Sequence, residues 1–307
     1  MNLASAIDAH PAEAPALVTR GEVTTYGELR SRVAEARGAL IARGVAPGDR
    51  VAIVAANNPS FVVAYLGVLG VGAVAVPLNP LSPPPEIDRE LALVGAGLAL
   101  VDGTDRPPTA GETATLPAGV DVVAIGDLVG GEPAAVVDRA EDDLAVLLFT
   151  SGTAGLPRAA MLSHGNLRAN IDQVRAGAAA AGHPNASPTA GDVALGVIPL
   201  FHIFGLNAVL GLAMTVGASV VLVERFDAAA TLALLAERRI TVVSGVPTMW
   251  AAWAALPDAS PEQVASVRYA VSGAAALDPA VRRAVRDRFG LTVAEGYGLT
   301  EASPAVT

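Results

Sequence analysis

Cysteine is absent from the 307 residues, which excludes disulfides and thiolate metal sites. Lysine is absent too, and all twenty basic residues are arginines. Aromatic residues make up only 4 % and charged residues only 16 %. Hydrophobic residues reach 52 %, so a sizeable core is expected and a disordered chain is not. No basic run occurs and the net charge is −10. Nucleic acid and anionic membrane surfaces are therefore poor candidate partners. The first residues carry neither a basic head nor a long apolar stretch, so no secretory signal is read and a cytoplasmic location is expected. The four histidines, His10, His164, His183 and His202, lack the H-E-x-x-H spacing of a zinc site. No G-x-S-x-G elbow offers a nucleophilic serine.

Two stretches are long and uncharged, Phe61 to Leu78 and Val193 to Val223. Length alone would allow a membrane span. Pro77 and glycines punctuate the first; Pro199, His202, Gly205, Gly211 and Gly217 punctuate the second. Both read as a buried helix followed by a buried strand, with no transmembrane segment.

Local patterns set out an alternation of strands and helices. Thr25-Tyr-Gly-Glu28 has the spacing of a capping box. Tyr26, Leu29, Val33, Ala36 and Leu40 then recur at helical spacing, and Gly44 suits the stop. Val51–Ala55 reads as a strand, Ser60 to Val71 as a helix, and a further strand ends near Pro77. Such alternation argues for parallel sheets with helices on both faces. Asp105 to Gly119 reads as a surface loop, and the Pro- and Asn-containing stretch 183–191 as a second break. Two lobes are expected, 1–190 and 191–307. The second is predicted to run strand 193–198, helix 205–215, strand 219–223, helix 227–238, strands 240–244 and 268–272, helix 278–289 and strand 292–295.

The segment Thr150-Ser-Gly-Thr-Ala-Gly-Leu-Pro-Arg158 follows a strand-like run, Leu144–Phe149. Small residues let backbone N–H groups approach an anion; hydroxyls add donors; the guanidinium adds charge. That is the chemistry of a polyphosphate grip, although Gly-Thr-Ala-Gly alone also suits an ordinary turn. No lysine follows the second glycine, so the segment is not a P-loop of the G-x-x-x-x-G-K-[ST] kind. A second segment, Gly296-Tyr-Gly-Leu-Thr-Glu301, supplies an aromatic face, a hydroxyl and a carboxylate. Read locally, its tyrosine could equally sit in a core or at a rim. Ser272-Gly-Ala-Ala275 could be only a tight turn into a helix capped by Asp278. His202 could be a satisfied core histidine, and His164, at a helix start, reads as structural.

Taken in order along the chain, these segments resemble the signatures of the adenylate-forming superfamily, which includes acyl-CoA synthetases, aryl-CoA ligases, luciferases and peptide-synthetase adenylation domains. Gly48–Val54, Val76–Pro80, Pro199-Leu-Phe-His-Ile-Phe-Gly205, Gly245–Thr248 and Val271–Ala275 extend the resemblance over nearly the whole chain. It implies an α/β fold of two stacked lobes of largely parallel sheets flanked by helices, like the large N-terminal domain of an acyl-CoA synthetase. The implied activity is ATP- and Mg²⁺-dependent activation of a carboxylic acid, fatty or aryl, to an acyl-adenylate, then thioester formation with coenzyme A. Thr150, Ser151, Gly152, Thr153 and Gly155 would wrap the β- and γ-phosphates, with Arg158 where the family usually has lysine. Tyr297, after Gly296, would stack on adenine. Thr300 would bond the α-phosphate and Glu301 would bind Mg²⁺; a carboxylate beside a triphosphate needs a metal between them. Gly273, Ala274 and Ala275 would present backbone to the base and a small wall to the acyl chain. His202 would stand at the mouth of the acyl pocket, walled by Phe201, Gly205, Leu206, Val246, Met249 and Gly298. The aspartate by which amino-acid-activating relatives pair the substrate amine is absent from that motif, so an acid without an amine is favoured.

The family completes adenylation with a lysine from a C-terminal lid domain. None occurs here, so a missing C-terminal domain is expected and the chain alone is expected to be weak or inactive. The alternative is a non-catalytic nucleotide-binding module, with a homodimer left open.

Overall fold

A computed structural model describes residues 1–103, 119–150, 157–180 and 187–306. The strands along the chain are β1 (Pro15–Val18), β2 (Val23–Thr25), β3 (Arg50–Val54), β4 (Val74–Leu78), β5 (Leu98–Val101), β6 (Asp121–Ala124), β7 (Leu144–Thr150), β8 (Arg158–Ser163), β9 (Val193–Gly196), β10 (Ser219–Leu222), β11 (Val242–Gly245), β12 (Tyr269–Ser272) and β13 (Ala294–Glu295). The helices are α1 (Tyr26–Ala42), α2 (Pro59–Gly70), α3 (Pro84–Val94), α4 (His164–Ala180), α5 (Leu212–Val216), α6 (Ala228–Glu237), α7 (Pro247–Ala255) and α8 (Pro279–Phe289). Phe204–Gly211 is a π-helical segment. The chain divides into two compact units, 1–14 with 25–168, and 15–24 with 169–307.

The first unit holds a sheet of order β6-β5-β3-β4-β7-β8 among the described residues. It is parallel throughout except for the antiparallel pair β7–β8. β4 is buried along its whole length, as a strand covered on both faces must be. α1 opens with the capping box read from the sequence: Thr25 accepts from the Glu28 N–H at 3.2 Å and Glu28 accepts from the Thr25 N–H at 2.8 Å. Its buried face is Tyr26, Leu29, Val33, Ala36 and Leu40. Each such aliphatic side chain contributes about 1.5–3 kcal/mol by leaving water. α2, capped by Asn58 on the Phe61 N–H, is buried from Phe61 to Gly70. The uncharged run 61–78 is thus a helix and a strand. Among the described residues no helix is long and apolar enough to cross a membrane.

The second unit holds the sheet order β13-β12-β11-β9-β10-β1-β2 among the described residues. Its ladders β1–β10, β10–β9, β9–β11, β11–β12 and β12–β13 are parallel. The core gathers Val18, Leu195, Val221, Val243, Trp250, Trp253 and Val285. Trp250 and Trp253 meet edge to face at 5.2 Å, and the Trp253 indole N–H donates to Thr231 Oγ1 at 3.0 Å. At the amino ends of the strands Asp192 accepts from Arg268 Nε at 2.6 Å, from Thr241 Oγ1 at 2.7 Å and from the Thr189 N–H at 2.7 Å. Burial alone would raise this carboxyl; the guanidinium, the Thr241 and Thr189 hydroxyls and the Thr189 N–H outweigh it and hold the pKa below the usual range. The division between units falls after Arg168 within α4, and Asn170 bonds to the Ala302 and Ala305 carbonyls of the second unit.

Candidate functional site

In the second unit the carboxyl ends of β11, β12 and β13 lie in register, Gly245 opposite Ser272 and Ser272 opposite Glu295. A glycine stands at or just beyond each end: Gly245, Gly273 and Gly296. The Gly273 N–H donates to the Gly245 carbonyl at 3.0 Å and the Gly296 N–H to the Ser272 carbonyl at 2.9 Å. Ligands of parallel α/β sheets bind at this edge. A Cβ on Gly273 would lie 3.0 Å from the Phe204 ring, and one on Gly245 would lie 3.0 Å from Trp250 Nε1. Glycine there lets two aromatic rings close on the strand ends.

Beyond Gly273 the backbone turns sharply. Ala274 has φ +69°, a left-handed conformation that costs a residue with a Cβ about 1–2 kcal/mol. Ala274 and Ala275 are exposed, and Asp278 caps α8 on the Ala280 N–H at 2.7 Å. Strain held at an exposed turn on a ligand-binding edge fits a functional backbone.

Residues 297–306 fold back on themselves. The Val306 N–H donates to the Tyr297 carbonyl and the Leu299 N–H to the Pro304 carbonyl, each at 2.9 Å. A Cβ on Gly298 would meet the Pro304 oxygen at 2.5 Å, so only glycine permits this approach. The arc carries Thr300 and Glu301 at its tip, in a short 3₁₀ turn. Tyr297 is 58 % exposed, and Glu301 is exposed with no hydrogen-bond or ion-pair partner among the described residues. An open aromatic face and an unpaired hard-oxygen donor fit a nucleotide base and Mg²⁺ in their chemistry. Two asparagines hold the arc from below: Asn207 Nδ2 donates to the Ser303 carbonyl at 2.7 Å, and Asn170 Nδ2 donates to the Ala305 carbonyl at 2.8 Å.

His202 is exposed at the entrance of the π-helical segment. Its N–H donates to the Pro199 carbonyl at 3.1 Å, and its carbonyl accepts from the Leu206 N–H at 2.9 Å. Desolvation by the surrounding protein lowers its pKa from 6.5, so the ring is neutral at pH 7. Of the expected pocket walls, Leu206 and Met249 are buried in the core. Gly205 is a close-approach glycine, where a Cβ would lie 2.3 Å from the Pro199 oxygen. A small apolar recess elsewhere in this unit is lined by Ala194, Leu195, Ala208, Leu212, Val242 and Ser244.

In the first unit Thr150 and Arg158 are paired across the β7–β8 hairpin, and Arg158 is exposed. Arg158 opens β8, so a strand and not a helix start follows the segment read as a phosphate grip. Ser151, Gly152, Thr153 and Gly155 lie outside the described residues. Sequence reasoning missed Asn170 and Asn207; it named Ala274 without its left-handed backbone. Only Asn207 left a trace, as a lone amide in the uncharged run 193–223.

The profile of the AMP-binding enzyme family matches residues 3–307. The chain belongs to that family. It is 36 % identical over 296 residues to a feruloyl-CoA synthase of Amycolatopsis sp, covering 93 % of this chain and 56 % of the relative. Its fold is similar to ATP-bound MatB from Rhodopseudomonas palustris, with TM-score 0.87 and 29 % identity, over 99 % of this chain and 61 % of the other. It is also similar to a benzoate CoA ligase from Burkholderia xenovorans, with TM-score 0.88 and 27 % identity, over 99 % and 62 % respectively. The chain thus spans about half the length of the curated relatives it matches.

Proposed function

We propose that this chain serves ATP-dependent activation of an apolar carboxylic acid, aryl in preference to fatty, in an AMP-forming acid–thiol ligase. A carboxylate oxygen of the acid attacks the α-phosphorus of ATP, and the bond to pyrophosphate breaks. The thiol of coenzyme A then attacks the acyl carbonyl, and AMP leaves. The protein's part in such a transfer is positioning and charge screening. Mg²⁺, when bound, would neutralise charge building on the phosphates.

In the second unit Glu301 would hold that Mg²⁺ and Thr300 the α-phosphate. Tyr297, presented by Gly296, would cover one face of adenine. Gly273, Ala274 and Ala275 would offer backbone groups to the base, and His202, neutral and exposed, would meet the incoming carboxylate. In the first unit Thr150 and Arg158 would serve the β- and γ-phosphates with Ser151, Gly152, Thr153 and Gly155. The observation that carries this reading is the exposed Tyr297–Glu301 arc beside the glycine-lined carboxyl edge of a parallel sheet, in a chain matched along its length by the AMP-binding family. The names of the relatives, a feruloyl-CoA synthase and a benzoate CoA ligase, support an aryl acid.

The rival reading is a nucleotide-binding module without turnover, favoured by the absence of lysine. ATP–pyrophosphate exchange by this chain with a panel of benzoates, cinnamates and fatty acids separates the two. Acid-dependent exchange, weak in this lysine-free chain and largest with an aryl acid, is the expected result. ATP binding without exchange for any acid leaves the module.

A further inference from the structure

We infer that Asn170 and Asn207 are positioning residues for the Thr300–Glu301 tip, an inference that rests on the metal role proposed for Glu301. Both asparagines are buried, each 4 % exposed. Asn207 stands in the π-helical segment and donates to the Ser303 carbonyl at 2.7 Å. Asn170, on α4, donates to the Ala302 carbonyl at 3.1 Å and the Ala305 carbonyl at 2.8 Å, and accepts from the Ala305 N–H at 3.3 Å. Three of the four residues that follow Glu301 are thereby tied to two helical segments by side-chain amides.

The arc's own bonds close it only between its arms and within its tip, as in Ser303 N–H to the Thr300 carbonyl at 3.2 Å. They fix its shape; β13 and the Gly296 N–H to the Ser272 carbonyl place its start, and the asparagines place the stretch after Glu301. A buried amide in an otherwise apolar run is costly unless it is hydrogen-bonded, and the Asn207 Nδ2 is bonded to this arc. An exposed carboxylate needs its backbone held if it is to meet a metal in one geometry, the supporting role that outer groups play around metal ligands.

Gly211 adds an independent handle. A Cβ there would stand 2.7 Å from Asn207 Oδ1 and 3.3 Å from Ile171, next to Asn170. Gly211→Ala therefore displaces the Asn207 amide without deleting it.

The test titrates ATP into the full chain with and without Mg²⁺ by calorimetry. The proteins are wild type, Glu301→Gln, Asn170→Ala, Asn207→Ala and Gly211→Ala, each also followed by amide hydrogen exchange over 299–306. Expected are a Mg²⁺-dependent gain in wild type that Glu301→Gln abolishes, and loss of about tenfold of that gain in each asparagine variant. Mg²⁺-free affinity falls by a smaller factor, through Thr300, and exchange over 299–306 rises. Gly211→Ala shifts both readouts in the same direction by less, and it carries the test with Asn170→Ala should Asn207→Ala not fold.

Asparagine variants that keep the full Mg²⁺ gain, or lose Mg²⁺-free affinity by the same factor, overturn the positioning role while Glu301→Gln leaves the metal reading intact. A wild type without a Mg²⁺ gain, or a Glu301→Gln variant that keeps one, overturns the metal reading and this inference with it.

Discussion

At the scale of single residues, Tyr297 leaves 58 % of its surface in water, an apolar area that folding does not use. A large ring presented this way by a glycine-bounded arc is worth more to a flat ligand than to the fold. Tyr297→Ala is expected to weaken ATP binding by about 1–3 kcal/mol, by analogy with other base–aromatic stacks. The unfolding free energy is expected to move by no more than about 0.5 kcal/mol. Calorimetric titration and urea denaturation of the same variant check both halves, and an unchanged ATP affinity removes the stacking role. Much at this scale was legible in the sequence. The Thr25 box and the Asp278 cap were read from spacing, because a cap is a contact between near neighbours in the chain. The Asn170 bonds to Ala302 and Ala305 span some 130 positions, and no local pattern encodes them. The left-handed Ala274 was hidden for another reason: alanine carries no sign of the conformation imposed on it.

At the scale of elements, the instructive case is the segment from Phe204 to Val216. Its apolar composition predicted one helix over 205–215. The structure has a π-helical stretch, Phe204–Gly211, running into α5. Wider turns of this kind cluster at functional sites, and here the stretch joins His202 to Asn207. Gly205 is what lets it start where it does, against the Ile198 and Pro199 carbonyls. Gly205→Ala forces a methyl to within 2.3 Å of a backbone oxygen that cannot rotate away. A loss of about 1–3 kcal/mol in denaturant stability is expected, together with weakened acid binding on the role proposed for His202. Retention of both would remove Gly205 as the anchor. α7 escaped the sequence reading altogether. Pro247 opens it, as proline does at a first helical position, but Met249, Trp250 and Trp253 are all buried and leave no polar face to mark a period.

At the scale of the whole molecule, strand–helix alternation made the parallel α/β class readable. It could not reveal that β1 and β2, near the amino terminus, close the sheet of the second unit beside β10. That pairing joins Leu17 to Val220, a contact between residues remote in sequence. Acid stability is a molecule-wide property that a few buried titratable groups set. His164 is 1 % exposed, and its Nδ1 accepts the Leu3 N–H at 3.2 Å, a bond that a proton on that nitrogen would break. Burial first, then the Arg139 charge, push its pKa from 6.5 to about 4. The unfolded chain therefore binds a proton that the folded chain refuses between these values. The contribution, about 3 kcal/mol, is complete above pH 6.5 and is lost as pH falls to about 4. Glu90, raised to about 7 by burial and by Glu86, acts in the opposite sense, favouring the fold as pH falls. A comparison of unfolding free energy against pH for wild type and His164→Gln isolates the histidine. The variant's curve is expected to be flatter over that window by about the stated amount; parallel curves would exclude His164 as the cause.

The hairpin that joins Thr150 to Arg158 has a consequence for how this protein can change. The β7–β8 ladder holds its backbone at both ends whatever side chain stands at position 158, and Arg158 is exposed. On the phosphate role proposed for it, the cation there can be exchanged while the strands keep their register, so charge at this end of the sheet can drift without any rebuilding of the scaffold underneath.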